Sequence, residues 1–349
     1  MLKKLIFSIK MLFTCSIMIS AQTSRYIEQA KINEVLELQF ENSKVFQFDT
    51  KEILDQRADK QEGFLTKFAI GDKYEWTLAL EPNQIKSEHY KLRIANEDGI
   101  TNGITNHDIY TFKGIVHGTD HEVRLTIMED YIYGYIEMDN DALFIEPLNN
   151  FVKGADKDVF VAYQASGVLE QAPIKCGVTE MRESRKSIHK HSPSPHNHNK
   201  KEETKSRNIG NCYELEMAYA NDFYMFEYFQ SVPAVELHVI SVLNNVQGNY
   251  DDEFNDGIQL SIVEIFVPTS PDADPFTSEL YPGTLLSDFE SWASNGFSEV
   301  HDIGVLWTGR DFIGQIVGLA NLASICETNR YHLVPVSYTH LTLPTICSV

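Results

Sequence analysis

The stretch Tyr213-Glu214-Leu215-Glu216-Met217-Ala218-Tyr219 sets an apolar or aromatic side chain at every second position, the period of a strand with one buried face. Ser231-Val232-Pro233 follows, and then Val235, Val239, Val242, Leu243 and Val246 recur at helical spacing. A Ser cap and a Pro in the first turn suit a helix start, so the spacing predicts a helix of about four turns. Ile258-Gln259-Leu260-Ser261-Ile262-Val263-Glu264-Ile265 reads as a second strand, apolar on both faces near its end, which suits a sheet covered by helices. Leu285, Phe289 and Trp292 mark a helix stopped near Gly296. Ile303-Gly304-Val305-Leu306-Trp307 gives a third strand, and Ile316-Val317-Gly318-Leu319-Ala320 a fourth. Strands alternating with helices indicate an α/β region.

Upstream the pattern changes. Between Lys44 and Val161 short alternating runs such as Tyr74–Leu80 and Glu122–Ile127 are separated by turn signals at Asn96-Glu97-Asp98-Gly99 and Asp139-Asn140-Asp141. That is a β-rich region, with no helical period of useful length, and the whole chain reads as α+β. Residues 184–208 then replace apolar residues with Ser, Pro, His, Asn, Lys and Glu, as a linker does. Its His189, His191, His196 and His198 could hold a metal, but the entropy of ordering an unpacked segment favours a solvated linker. Lys200, Lys201, Lys205 and Arg207 make it a target for a trypsin-like activating protease. The acidic runs Asp251-Asp252-Glu253 and Asp272 with Asp274 are expected in solvated loops.

With 349 residues and 43% hydrophobic content there is material for about two cored domains. Fifty acidic against 29 basic residues, a net charge of −21, argue against a phosphate-tracking surface and so against nucleic acid as partner. Residues 1–21 carry Lys3, Lys4 and Lys10 before a mostly apolar stretch and end on Ser20-Ala21, the form of a secretory signal. The apolar stretch falls short of the roughly 20 residues that span a bilayer, so export rather than a stable membrane anchor is expected. An exported chain permits disulfides among Cys176, Cys212, Cys326 and Cys347. The run from Val336 to Thr345 does not continue the preceding pattern and resembles translated sequencing-adapter read-through. Residues 336–349 are therefore treated as a suspected non-native tail, the alternative being a C-terminal strand.

No nucleophile elbow, phosphate loop or dinucleotide fingerprint is present. His121-Glu122-Val123-Arg124-Leu125 lacks the second His of a zinc helix and alternates as a strand. His301-Asp302 is better read as a polar pair at a strand start than as a catalytic pair, because adjacent side chains rarely converge on one atom. Several segments together resemble the reprolysin/adamalysin (ADAM-type) zinc endopeptidases of the metzincin group. Tyr110–Gly118, Val123–Leu125, Gly134–Ile136 and Ile145–Leu148 are similar to that family's propeptide, and Lys175-Cys176-Gly177-Val178 to its cysteine switch. Glu214–Asp222 is similar to the first strand of its catalytic domain, and His301–Phe312 with Val317–Cys326 to the segment before the zinc helix.

The resemblance implies a secreted zymogen with a signal at 1–21, a β-rich prodomain at 22–183, a linker at 184–208 and, at 209–335, the N-terminal part of a zincin catalytic domain with a mixed sheet. It implies zinc as cofactor and proteins or peptides as substrates. Cys176 would occupy the zinc as an inhibitory thiolate, a structural disulfide being the alternative. Cys212 and Cys326 would bridge, although in some relatives the Cys matching Cys326 pairs downstream. Gly318, Leu319 and Ala320 would form the sheet edge that binds extended substrate, against the alternative of an interior strand. Glu216 and Asp302 align with a calcium site in some relatives, with solvated or salt-bridged carboxylates the alternative. The family's H-E-x-x-H-x-x-G-x-x-H is not found in the 349 residues, so the chain is expected to be truncated before it and to hydrolyse nothing as it stands. Rival readings are a non-catalytic secreted binding protein with a degenerate protease-like domain, and an inhibitor of other metzincins acting through Cys176.

Overall fold

The computed structural model describes residues 29–58, 63–169, 213–276, 280–313, 316–322 and 324–336. Residues 29–37 form α1, Lys51–Ala58 α2, Phe223–Phe229 α3, Val232–Phe254 α4 and Pro282–Gly296 α5. The strands run β1 (Ser43–Gln47), β2 (Phe64–Ile70), β3 (Tyr74–Pro82), β4 (Lys86–Asn96), β5 (Gly99–Asn102), β6 (Tyr110–Val116), β7 (Glu122–Met128), β8 (Tyr131–Met138), β9 (Asp141–Pro147) and β10 (Val159–Gln164). They continue with β11 (Tyr213–Asn221), β12 (Ile258–Pro268), β13 (Ile303–Thr308), β14 (Leu319–Ala320) and β15 (Tyr331–Pro335). The protein is mixed α/β and rich in strands.

Two sheets carry the architecture. The first is antiparallel, in the order β1-β10-β9-β8-β7-β6-β3-β2. Its edge strand β2 alternates buried and exposed along its length, and Phe68, Leu78, Phe112, Leu125 and Ile145 fill the core beneath it. The second sheet has the order β14-β15-β13-β11-β12-β4-β5. β15, β13, β11, β12 and β4 are mutually parallel, while β14 and β5 are antiparallel at its two edges. α4 packs on one face of it with Val235, Val239, Val242 and Leu243, and α5 on the other with Leu285, Leu286 and Phe289. β11 lies between two parallel neighbours, so its second half is buried on both faces and the sequence alternation fades there.

Several expectations change. α2 falls inside the region read as purely β; it seats Ile53, fully buried, in the core below the first sheet. α4 is 23 residues long rather than four turns. The Ser231 side chain caps it, accepting from Ala234 N–H at 3.3 Å, and Asn255 ends it in the left-handed region at φ 51°. Beyond Val246, Gln247 bonds to Ile258 and Leu260 of β12, and Asp251 pairs with Arg124 of the first sheet. The fourth strand shrinks to Leu319–Ala320, and β15 was not anticipated. Val336, placed in the suspected tail, is buried in the core of the second sheet, whereas residues 337–349 lie outside the described residues. The acidic runs are not simply solvated loops. Asp251 sits in the last turns of α4 against Arg124, and Asp274 caps Phe223 N–H at 2.9 Å; Asp252, Glu253 and Asp272 are exposed.

The β4–β5 hairpin is the unexpected element. Its turn is as read from the sequence, with Asn96 opposite Gly99 at φ 118° and Asp98 N–H bonded to Asn96 Oδ1 at 3.0 Å. Yet it leaves the sheet of its neighbours, where β3 pairs directly with β6, and joins β12 of the second. A stretch that is early in sequence thus belongs in space with residues 213–336.

The candidate site on the second sheet

β14 is the edge of the second sheet, with Leu319 opposite Leu333 and Ala320 opposite His332 of β15. Gly318, Leu319 and Ala320 are all buried, and no strand lies beyond them among the described residues. An unpaired antiparallel edge of this kind can add an extended peptide as a further strand. Behind it, on the α4 face, a small apolar cavity of about 60 Å³ is lined among others by Met217, Tyr219, Val305, Trp307, His332 and Val334. Burial there pushes the His332 imidazole down to about 4, so it is neutral at physiological pH.

Glu216 and Asp302 are brought together, but as structural partners. Asp302 N–H donates to the Glu216 carbonyl at 2.8 Å, and Asp302 Oδ2 accepts the Glu216 N–H at 2.9 Å, pinning β11 to the start of β13. Asp302 Oδ1 accepts from the Cys326 thiol at 3.2 Å, and this bond pushes the thiol pKa up. Cys326 is exposed, a free thiol, and held at φ 61°. Its expected partner Cys212 and the switch Cys176 lie outside the described residues, as does the linker at 184–208. Among the described residues no group of three or more His, Cys, Asp or Glu side chains converges on one point. Two carboxylates, one of them already bonded, do not make the six- to eight-oxygen cage of calcium, and among the described residues no set of donors fits a tetrahedral zinc.

At the carboxyl ends of β11 and β13 sits a network the sequence reading missed. Asp222 is fully buried; its Oδ1 caps α3 through Met225 N–H at 3.0 Å, and its Oδ2 meets Arg310 Nε at 3.2 Å. Thr308 Oγ1 also donates to Asp222, and Arg310 reaches Asp274 at 3.5 Å while lying over the Tyr224 ring. Burial outweighs the Arg310 charge and pushes the Asp222 carboxyl up to about 6. The available signal was an Asp directly before the apolar helical run Phe223–Phe229. The network fixes the strand ends that flank the β13–β14 loop and offers no open position for a ligand.

Residues 211–340 match the reprolysin model of metallo-peptidase family M12. This part of the chain is a reprolysin-type metzincin segment. The chain is also 26% identical over 206 residues to two Naja atra proteins, the zinc metalloproteinase-disintegrin-like kaouthiagin-like protein and zinc metalloproteinase-disintegrin-like atrase-B. In each case the match covers 57% of this chain and 32% of the relative, so the chain spans about a third of the length of these curated relatives. Among solved structures, metalloproteinase-II from Bacteroides fragilis is similar at a TM-score of 0.44 and 10% identity, covering 82% of this chain and 80% of that one. The reprolysin segment contains β11 to β15, and with them the edge strand and the Asp222 network. No helix among the described residues is long and apolar enough to cross a membrane.

Proposed function

We propose that the reprolysin segment is the upstream part of the catalytic domain of a secreted zinc endopeptidase, and that residues 22–183 are its propeptide. The observation that carries this is the match of residues 211–340, and the place of Leu319 and Ala320 at the end of the second sheet supports it. In this reading substrates are proteins or peptides, which align antiparallel to Leu319 and Ala320 by main-chain hydrogen bonds. The signal at 1–21 directs export. Cys176 holds the zymogen latent, and cutting the linker at 184–208 by a trypsin-like protease relieves it.

The described residues do not supply the metal's ligands, so no catalytic step is assigned to them. The zinc-binding H-E-x-x-H of this reading is to be sought in coding sequence that follows, and the 349 residues by themselves are expected to show no peptidase activity. The test is to recover that sequence and assay the completed protein on a denatured protein substrate with and without chelator. Chelator-sensitive cleavage supports the proposal; an unrelated sequence in that place favours the non-catalytic binding protein instead. In the completed protein Cys176→Ala should give activity without linker cleavage, and persistent latency would remove the switch.

A further inference from the structure

The outer edge of β12 is already occupied, and by a strand from the other end of the chain. β4 runs parallel to it, with Lys91 opposite Glu264, Leu92 opposite Ile265 and Arg93 opposite Phe266. Lys91 and Arg93, two residues apart, share one strand face. Arg93 Nη1 donates to Glu264 Oε1 at 2.9 Å and to the Gly296 carbonyl, while Lys91 pairs with Glu299. Glu264 has no solvent exposure.

The carboxylate is organised from the β12 side alone. Glu264 Oε2 accepts Ser298 N–H at 2.7 Å, Ser298 Oγ at 2.7 Å and Glu299 N–H at 3.0 Å, all from the segment between α5 and β13. Arg93 is the partner shown for Oε1. The edge thus presents a fixed acceptor, a main-chain carbonyl and a second carboxylate to a basic-x-basic strand. The rest of the contact between the two halves is mixed: Ile85, Leu92, Ile109 and Tyr133 join the apolar core of the second sheet, and polar side chains of α4 meet partners across it. On α4, Glu236 accepts from Tyr90 Oη at 3.0 Å, Asn244 accepts from Asn83 Nδ2 at 2.8 Å, Ser241 shares a hydrogen bond with Tyr131 Oη at 3.0 Å, and Asp251 pairs with Arg124.

We propose that the β12 edge, with Glu264 and Glu299, is a strand-docking site selective for a Lys-x-Arg segment in extended conformation, and that residues 91–93 are its resident ligand. The site holds residues 29–169 against residues 213–336 without a covalent bond, so that a cut between them leaves a bound complex whose lifetime the Arg93–Glu264 pair sets. The use of that lifetime to delay activation rests on the propeptide reading; the docking site itself does not.

The experiment uses the full chain with a site-specific protease sequence placed within residues 184–208. After cutting, the two pieces are expected to co-elute in size exclusion, and Glu264→Gln and Arg93→Ala should each speed their dissociation at least tenfold. The double variant should be no faster than the faster single variant, since one interaction is lost in all three. Lys113→Ala, which removes only the exposed pair with Glu81, should leave the rate unchanged. Because the variants could fold poorly, a second arm uses the unaltered protein: excess synthetic peptide of residues 87–96 present during cutting and elution should raise the fraction of pieces that separate, and the same peptide with Arg93→Ala should not. Pieces of the unaltered protein that separate on cutting, variant rates within twofold of the unaltered one, or two peptides that act alike would each overturn the proposal. A completed protein without peptidase activity would defeat the functional reading and leave these rates untouched.

Discussion

The two edges of the second sheet are finished in opposite ways. At β14 the sheet stops after two buried residues, with no further strand beside them among the described residues. At β12 it is extended by β4 and β5, and the join carries a buried ion pair. A bare edge is an adhesive surface, so a chain leaves one open only where something is meant to bind and covers the other. The same sheet therefore separates a place for a passing strand from a place for a resident one.

Removing the resident strand should have the largest effect. Residues 209–336 expressed alone would uncover the β12 edge and leave Glu264 without Arg93, and breaking one partner from a buried pair costs about 3–5 kcal/mol. We expect no sharp cooperative melt by circular dichroism; a sharp one would show that the hairpin is dispensable. Next comes the seam on α4. Gly248 lets the first sheet approach the helix, since a Cβ there would lie 2.1 Å from Tyr135 Oη and 2.8 Å from Glu122 Oε2. Gly248→Ala should destabilise the full chain by about 1–3 kcal/mol in urea unfolding through overpacking, despite the better helix propensity of Ala. A stabilised variant would mean that the seam is loose.

The pH response sharpens the contrast within the reprolysin segment. Asp222 is raised to about 6 by burial, so the folded state holds its proton more tightly than the unfolded state, and its contribution to stability falls as pH rises from about 4 to about 6. His332, beside the open edge, is lowered to about 4, so the unfolded state binds its proton more tightly and stability is lost as pH falls from about 6.5 to about 4. The two slopes oppose each other. Urea midpoints across this window should therefore rise more steeply with pH in Asp222→Asn and less steeply in His332→Gln, and identical profiles would reject both assignments. The smallest effect is expected at the outermost strand: Ile100 of β5 is 50% exposed, and Ile100→Lys should change stability by less than about 0.5 kcal/mol. A larger loss would mean that β5 is itself covered by something.

Local pattern gave away much of this fold. The alternation of residues 213–219, the capped start of α4 at Ser231 and the apolar β12 each follow from side-chain period and a single neighbouring residue, and each stands in the structure. The edge position of Leu319 and Ala320 came instead from family resemblance, because two residues have no period to read. What failed was charge. Asp251 and Asp274 look like solvated acids in one dimension, and Asp222 shows no partner there, since a sequence does not show which arginine, Arg124 or Arg310, will arrive from elsewhere in the chain.

By itself, then, the sequence determined that residues 213–219 and 258–265 are strands, where α4 starts and which of its faces is apolar, and the kinship of residues 211–340. Tertiary structure alone decided that β4 and β5 desert the sheet of their neighbours, that one edge of the second sheet is filled while the other stays open, and that the polar side of α4 is an interface. The reason is range. Backbone geometry and burial period act over a few residues, whereas the partnership of Arg93 with Glu264 joins positions far apart in the chain and exists only once both sheets are in place.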